Sequence, residues 1–393
     1  MRKFRSGVNA FGCDLNKSVK SQQQDRMTNS SSDLPSSSDK PPRRPRYRGK
    51  NPRLFSEKYK ELAPERYPED IAKVLASGKT PAGSHRSIMP AEVLECLQPR
   101  PGEIVIDCTL GYGGHAQELL QAVQPGGRLI GLDVDPVELP KTEERLRGLG
   151  LPEDSLCFFR SNFAGLSQVL GRAAPGGADL IFADLGVSSM QIDNPARGFT
   201  FKADGPLEMR MNSQRGLSAQ EWLARWSVAN LATVLRENGD EPHAEFLAKK
   251  IVDARAESPL QTTRQLADLV QRHYQRIVDG NEDLVRAAIR RTFQAIRIAV
   301  NDEFGALDAL LRQLPGCLRP HGRVAILSFH SGEDRRVKHH FRDGLRAGLY
   351  QRISENVIQA SAQERRDNPR STSAKLRFAV RSPDSSGNPN ELL

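Results

Sequence analysis

The sequence contains no run approaching the roughly 18 consecutive apolar residues that a membrane-spanning helix needs. With 38% hydrophobic and 27% charged residues, it reads as a soluble protein with no membrane partner. There is no Cys-x-x-Cys pair: the five cysteines, Cys13, Cys96, Cys108, Cys157 and Cys317, are scattered and odd in number. That argues against a disulfide framework and against a zinc site, and it points to a reducing, cytoplasmic compartment. No secretory apolar segment is present. Charge is in excess, +9 overall, but it is unevenly placed.

Residues 1–84 hold 18 Lys and Arg against 9 Asp and Glu. From the chain totals of 57 and 48, the remainder holds 39 of each, a balance of zero. The excess therefore belongs to an extension rich in Ser, Pro and Gln (Ser30-Ser31-Ser32, Ser36-Ser37-Ser38). It turns basic over Arg43-Arg44-Pro45-Arg46-Tyr47-Arg48-Gly49-Lys50. Such composition cannot bury a core and predicts a disordered basic extension over 1–84. Three roles fit it: attraction to a phosphate backbone, a solvated extension of no specific role, or a transit peptide, the last weakened by Asp14 and Asp25.

From about residue 85 the pattern is α/β. Strand-like runs Ile104-Val105-Ile106, Arg128-Leu129-Ile130-Gly131-Leu132, Leu156-Cys157-Phe158-Phe159 and residues 178–183 alternate with helical segments at 90–97, 116–123, 140–149 and 163–170. Alternation of this kind implies a parallel sheet with right-handed crossovers. It stops after the fourth strand. Residues 218–274 read as consecutive helices, with capping-box starts at Ser218/Glu221 and Thr262/Gln265. One helix over 292–314, a strand over 323–328 and a last strand over 375–380 then resume the α/β pattern. The expected domains are 85–212 with 290–393, and an inserted all-helical domain over 213–289.

Residues 184–212 break both periodicities, with Gly186, Pro195, Gly198, Gly205 and Pro206 interrupting them. Long irregular segments in compact domains are functional or disordered. Three Met, two Phe and several charges are not the composition of a disordered linker, so an ordered active-site loop is expected, against a surface loop of no specific role.

The first strand leads into Asp107-Cys108-Thr109-Leu110-Gly111-Tyr112-Gly113-Gly114-His115, and Asp133 ends the second. Glycines beyond a strand's carboxyl end let the backbone approach a ligand, and a carboxylate there accepts from ribose hydroxyls. The turn lacks the third glycine of a G-x-G-x-x-G dinucleotide fingerprint, which argues against NAD. S-adenosylmethionine carries adenosine but no phosphate and tolerates the variation.

With these motifs stand Asp184-Leu185-Gly186-Val187-Ser188-Ser189, Arg197-Gly198-Phe199-Thr200-Phe201 and Asp204-Gly205-Pro206-Leu207-Glu208-Met209-Arg210-Met211. Farther on come Arg291-Thr292-Phe293-Gln294-Ala295-Ile296-Arg297, Ser328-Phe329-His330-Ser331 and Asn368-Pro369-Arg370-Ser371-Thr372-Ser373. The set, in order over 85–381, resembles the ribosomal RNA small subunit methyltransferase H family, also called MraW. The resemblance implies a Rossmann-like class I S-adenosylmethionine-dependent methyltransferase sheet with an inserted helical domain. It implies methylation of the N4 amine of a cytidine in the decoding region of 16S rRNA, and hence the small ribosomal subunit as partner. Carried over position by position, the cofactor contacts would be Gly113, Gly114, His115, Asp133, Phe163, Asp184 and Gln191. The chain departs from the family in having Gly332 where Leu is usual, Met190 where Pro is usual, a short segment between Phe341 and Asn368, and the basic extension.

Methylating a cytosine amine requires alignment and a proton acceptor. Asp184 is the candidate catalytic residue, with a purely structural or cofactor-binding aspartate as the alternative. His330 is a second candidate, against a structural histidine. Too few ligands surround it to suggest a metal. Arg197, Arg210, Arg291, Arg297, Lys338 and Arg370 are candidate phosphate contacts, against solvated or ion-paired side chains. Phe199 or Phe201 could stack on an extruded base, against packing of the loop on the body. The competing functions are a methyltransferase of the same fold acting on DNA or another RNA, and a non-catalytic assembly factor. A monomer and a homodimer both fit.

Overall fold

A computed structural model describes residues 87–383, so the extension over 1–84 lies outside the described residues. Helix α1 (Pro90–Leu97) precedes strand β1 (Ile104–Asp107), and then α2 (Gly114–Ala122), β2 (Arg128–Asp133), α3 (Glu138–Arg147), β3 (Leu156–Arg160), α4 (Leu166–Ala173) and β4 (Ala178–Asp184) follow. The chain continues through the short α5 (Ser189–Asp193) into α6 (Ala219–Arg225), α7 (Val228–Gly239), α8 (Ala244–Glu257), α9 (Thr263–Tyr274), α10 (Glu282–Asn301) and α11 (Glu303–Cys317). It closes with β5 (Leu318–Ser328), α12 (Ser331–Arg346), β6 (Tyr350–Ile353), α13 (Ala362–Asp367) and β7 (Lys375–Arg381).

The seven strands pair in the order β3-β2-β1-β4-β5-β7-β6. Strands β1 to β5 are parallel, and β7 is antiparallel to both neighbours. Successive residues on the central strands point to opposite faces. Ile106, Ile130 and Ile181 pack with α4 and α11 through Leu166, Leu170, Leu310 and Leu314. Their neighbours Val105, Leu129 and Leu180 pack with α1 and α2 through Val93, Leu97, Leu119 and Leu120. Both faces are covered, which is why these strands read as near-continuous apolar runs.

A third core joins the helices after β4, where Leu231, Leu235, Leu247, Ile251, Leu266 and Val270 are fully buried. It also takes in Leu207 and Met209 from the loop before them, and Val285, Phe293 and Ile296 from α10. The capping boxes expected at Ser218/Glu221 and Thr262/Gln265 are both formed.

Three features depart from the sequence reading. The single helix expected over 292–314 is two, because Asp302 adopts a left-handed conformation at φ 49 and separates α10 from α11. The irregular segment after β4 contains α5, started by a capping box between Ser188 and Gln191. Helix α12, strand β6 and helix α13 were not expected. Both α12 and α13 are strongly charged, and β6 has only four residues.

Candidate functional site

The strand order reverses between β1 and β4: β2 and β3 lie to one side, β5 onward to the other. Ligands of doubly wound sheets bind beyond the carboxyl ends of the strands at such a switch point. A cleft of about 490 Å³ opens there. It is lined by the turns after β1, β2, β3, β4 and β5, and by residues of α5, α10 and α11. Gly113, Gly114, His115, Asp133, Phe163, Asp184 and Gln191 all line it, as do His330, Arg297 and Arg370. Arg197, Phe199, Arg210, Arg291 and Lys338 do not. A second depression, of about 580 Å³, lies between α8 and α9, away from the sheet edge.

The turn after β1 is tied to both neighbouring strands. The Gly111 amide donates to Asp133 Oδ2 at 2.7 Å, and the Asp184 amide donates to Thr109 Oγ1 at 2.6 Å. Gly113 sits at φ 76, and a Cβ there would meet Thr142 Cγ2 at 2.8 Å, so only glycine lets the chain turn into α2 at this place. Asp133 also accepts the Asp135 amide at 2.8 Å. Both of its oxygens are thus oriented by backbone donors, and Asp133 lines the cleft.

The loop is anchored through Asp135, which sequence reasoning missed. Gln191 Nε2 donates to its Oδ2 at 2.9 Å and Arg197 Nη1 donates to the same oxygen at 2.8 Å. Arg197 also donates to the carbonyls of Arg210 and Met211. Burial alone would raise the Asp135 carboxyl, but Arg197, the Val137 amide and Gln191 outweigh it and hold it below its usual range. Asn301 fastens the far end of the loop, donating to the Met209 carbonyl at 2.8 Å and accepting the Met211 amide at 2.7 Å. Asp135 lies two residues beyond Asp133, a spacing that was the only available signal.

The remaining arginines are held by carboxylates. Arg297 makes a two-pronged contact with Glu303 at 2.8 Å on each arm, Arg291 reaches Glu241 at 2.7 Å, and Arg370 reaches Asp193 at 2.8 Å. Arg210 pairs with Glu208. Lys338 is half-buried on α12. Phe199 and Phe201 pack against the helical core, Phe201 edge-on to Phe293 at 5.3 Å.

Asp184 and its surroundings dominate the electrostatics. Burial, then the nearby Asp107 and Glu333, push its carboxyl up to about 8. Its Oδ1 has no hydrogen-bond partner. Asp107, 1% exposed, is pushed up to about 7, chiefly by burial. Burial would raise Glu333 too, but His330, Arg297 and the Phe329 amide hold it below the usual carboxylate range. His330 Nε2 lies 3.1 Å from Glu333 Oε1, within ion-pairing range, although neither ring nitrogen is aligned for a hydrogen bond. Gly332, beside it, is explained by packing: a Cβ there would meet the Phe304 ring at 2.6 Å. Among the described residues no group of three or more His, Cys, Asp or Glu could hold a metal ion, and no helix is long and apolar enough to cross a membrane.

Seven carboxyl groups line the cleft, from Asp107, Asp133, Asp135, Glu138, Asp184, Glu303 and Glu333, against two guanidiniums; Glu303 is paired with Arg297, Asp135 with Arg197 and Glu138 with Lys141, and Arg370 is paired with Asp193. Burial pushes Asp107 and Asp184 toward the neutral form, so the lining offers a pyrophosphate no free cation, while a cationic ligand would favour the ionised form of both. The residues fit a nucleoside with a cationic tail: an oriented carboxylate for ribose hydroxyls, a glycine turn, and the Phe163 ring. The sheet order, its antiparallel β7 and the cleft at the switch point define a Rossmann-like class I methyltransferase.

The comparisons with known proteins agree. The chain belongs to the MraW methylase family, which matches residues 82–382. It is 47% identical over 341 residues to ribosomal RNA small subunit methyltransferase H 1 of Lachnoclostridium phytofermentans, covering 86% of this chain and 93% of that one. It is 46% identical over 341 residues to the protein of the same name from Agathobacter rectalis, with 86% and 97% covered. To ribosomal RNA small subunit methyltransferase H of Thioalkalivibrio sulfidiphilus it is 43% identical over 321 residues, with 78% and 99% covered.

Proposed function

We propose that the protein transfers a methyl group from S-adenosylmethionine to the N4 amine of a cytidine in the decoding region of 16S rRNA, within the small ribosomal subunit, in the cytoplasm. The observation that carries this reading is the switch-point cleft rich in carboxyl groups, with the Asp184 Oδ1 atom left unpartnered. The relatives' names support an rRNA substrate. S-adenosylmethionine, when bound, supplies an electrophilic methyl on a positively charged sulfur. Asp133 would hold the ribose, Phe163 the adenine, and the Gly113-Gly114 backbone the amino-acid end. Gln191 acts chiefly by fixing the loop through Asp135 and Ser188.

Asp184 is assigned the proton of the reacting amine. A cytosine amine is a weak nucleophile because its lone pair is delocalised into the ring, so alignment and proton removal carry the catalysis. Beside a cationic ligand the ionised form of Asp184 is favoured, which makes it a competent acceptor near neutrality. The helical body over 213–289 and the loop entering it are assigned to RNA recognition. The paired arginines would have to exchange a carboxylate for a phosphate in order to contact it.

The test is incubation with labelled S-adenosylmethionine and, separately, undermethylated 30S subunits, naked 16S rRNA or DNA. Label in rRNA or in 30S subunits supports the reading. Label in DNA alone, or cofactor binding with no transfer to any of the three, overturns it.

A further inference from the structure

His115 is the second residue of α2, and its ring packs on Phe182 with centroids 4.6 Å apart. One ring nitrogen is hydrogen-bonded to the Ile88 backbone, while Nε2 has no partner. Burial pushes the imidazole down to about 4, so it is neutral, and Nε2 presents a lone pair. Nε2 lies 3.9 Å from Asp184 Oδ2, beyond direct hydrogen-bonding distance. Asp184 Oδ1, also buried, is unpartnered as well. Acceptors left unpaired in a buried wall are unfavourable, and a donor group binding against this wall would relieve that loss.

We infer that Asp184 and His115 Nε2 form a two-acceptor fork that takes both N–H bonds of the target amine, making His115 a positioning and specificity residue for the methyl acceptor. The inference rests on the methyl-transfer reading above. It moves the His115 side chain from the cofactor to the substrate, while the Gly113 and Gly114 backbone stays with the cofactor. With both N–H bonds held in the plane of the base, the face of the amine is turned toward the methyl group. The amine nitrogen's electron pair forms the new N–C bond. The S–C bonding pair stays on sulfur as a neutral thioether, and one amine proton passes to the ionised Asp184. His115 remains neutral throughout. A carbonyl oxygen at the same position, as in uracil, would set lone pairs against lone pairs. A once-methylated amine keeps a single N–H and leaves one acceptor unpaired, so transfer stops after one methyl.

The test compares His115→Phe, which keeps a ring on Phe182 but removes Nε2, with His115→Gln, which restores an acceptor. Cofactor affinity is read by calorimetry, turnover on undermethylated 30S subunits, and folding by thermal melt. The fork predicts a fall in kcat of about 10–100-fold for His115→Phe, the scale of leaving one buried donor without its partner. It also predicts cofactor Kd within about threefold of the parent and partial recovery in His115→Gln. Undiminished kcat in His115→Phe, or a loss of cofactor affinity matching the loss of rate with no recovery in His115→Gln, overturns it. If His115→Phe does not fold, His115→Gln decides: retained cofactor affinity with lowered kcat supports the fork, and the converse refutes it. An inactive parent protein would instead count against the methyl-transfer reading itself.

Discussion

Replacing Asp184 by asparagine should leave the protein nearly inactive and yet more stable, with a stability gain that grows with pH. The carboxyl moves from an ordinary value of 3.8 to about 8 in the folded chain, through burial and then Asp107 and Glu333. Below 3.8 both folded and unfolded chains hold the proton, and the group contributes nothing. As pH rises from there, the unfolded chain ionises first, so folded stability is lost progressively until the folded carboxyl itself ionises at about 8. At about 1.4 kcal/mol per pH unit the ceiling of that loss is roughly 5–6 kcal/mol. The side chain keeps 29% of its surface open to the cleft, and solvent screening reduces the figure to roughly 2–3 kcal/mol. Asparagine is nearly the same shape and carries no charge, so it removes the penalty. Thermal melts of the cofactor-free protein at pH 5, 7 and 9 should show Asp184→Asn melting about 4–6 °C higher at pH 9. The gain should shrink toward pH 5. Methyl transfer should fall at least about 100-fold. A gain that does not change with pH, or a lower melting point at pH 9, would refute the assignment of a destabilising buried acid.

Three further outcomes follow from the geometry. Asp133→Asn should weaken cofactor binding about 10–100-fold by calorimetry, as expected for loss of charge-assisted bonds to ribose; unchanged affinity would place the ribose elsewhere. Arg197→Ala strands the Asp135 carboxylate, 2% exposed, and should destabilise the fold by about 3 kcal/mol in urea titration at pH 7. Because Asp135 is held low in the folded chain, that difference should narrow as pH falls through the carboxylate range; a constant difference would deny the pairing. Gly332→Leu drives a side chain into Phe304 and should cost about 1–3 kcal/mol, with recovery when Phe304→Ala is added. A neutral Gly332→Leu would remove the packing explanation.

Much of the sheet was legible because strands buried on both faces announce themselves as apolar runs, and Asp107, Asp133 and Asp184 mark their carboxyl ends. The capping boxes at Ser218 and Thr262 were legible because each is complete within four residues. Helix α5, with five residues, is too short for a 3.6-residue period to register. The break at Asp302 lies in continuous helical patterning and is visible only as a left-handed backbone angle. The arginines were less legible still. Arg197 meets Asp135 across 62 residues of sequence and Arg370 meets Asp193 across 177, so their partners become apparent only in the folded chain.

The chemical identity of the methylated nucleoside distinguishes amine methylation from every other outcome. Undermethylated 30S subunits, incubated with the protein and S-adenosylmethionine carrying a labelled methyl, are stripped of protein, and their rRNA is digested to nucleosides for mass spectrometry. Label is expected in N4-monomethylcytidine alone, abolished in Asp184→Asn. Label on cytosine C5, on adenosine or on ribose, or undiminished transfer in Asp184→Asn, would contradict it.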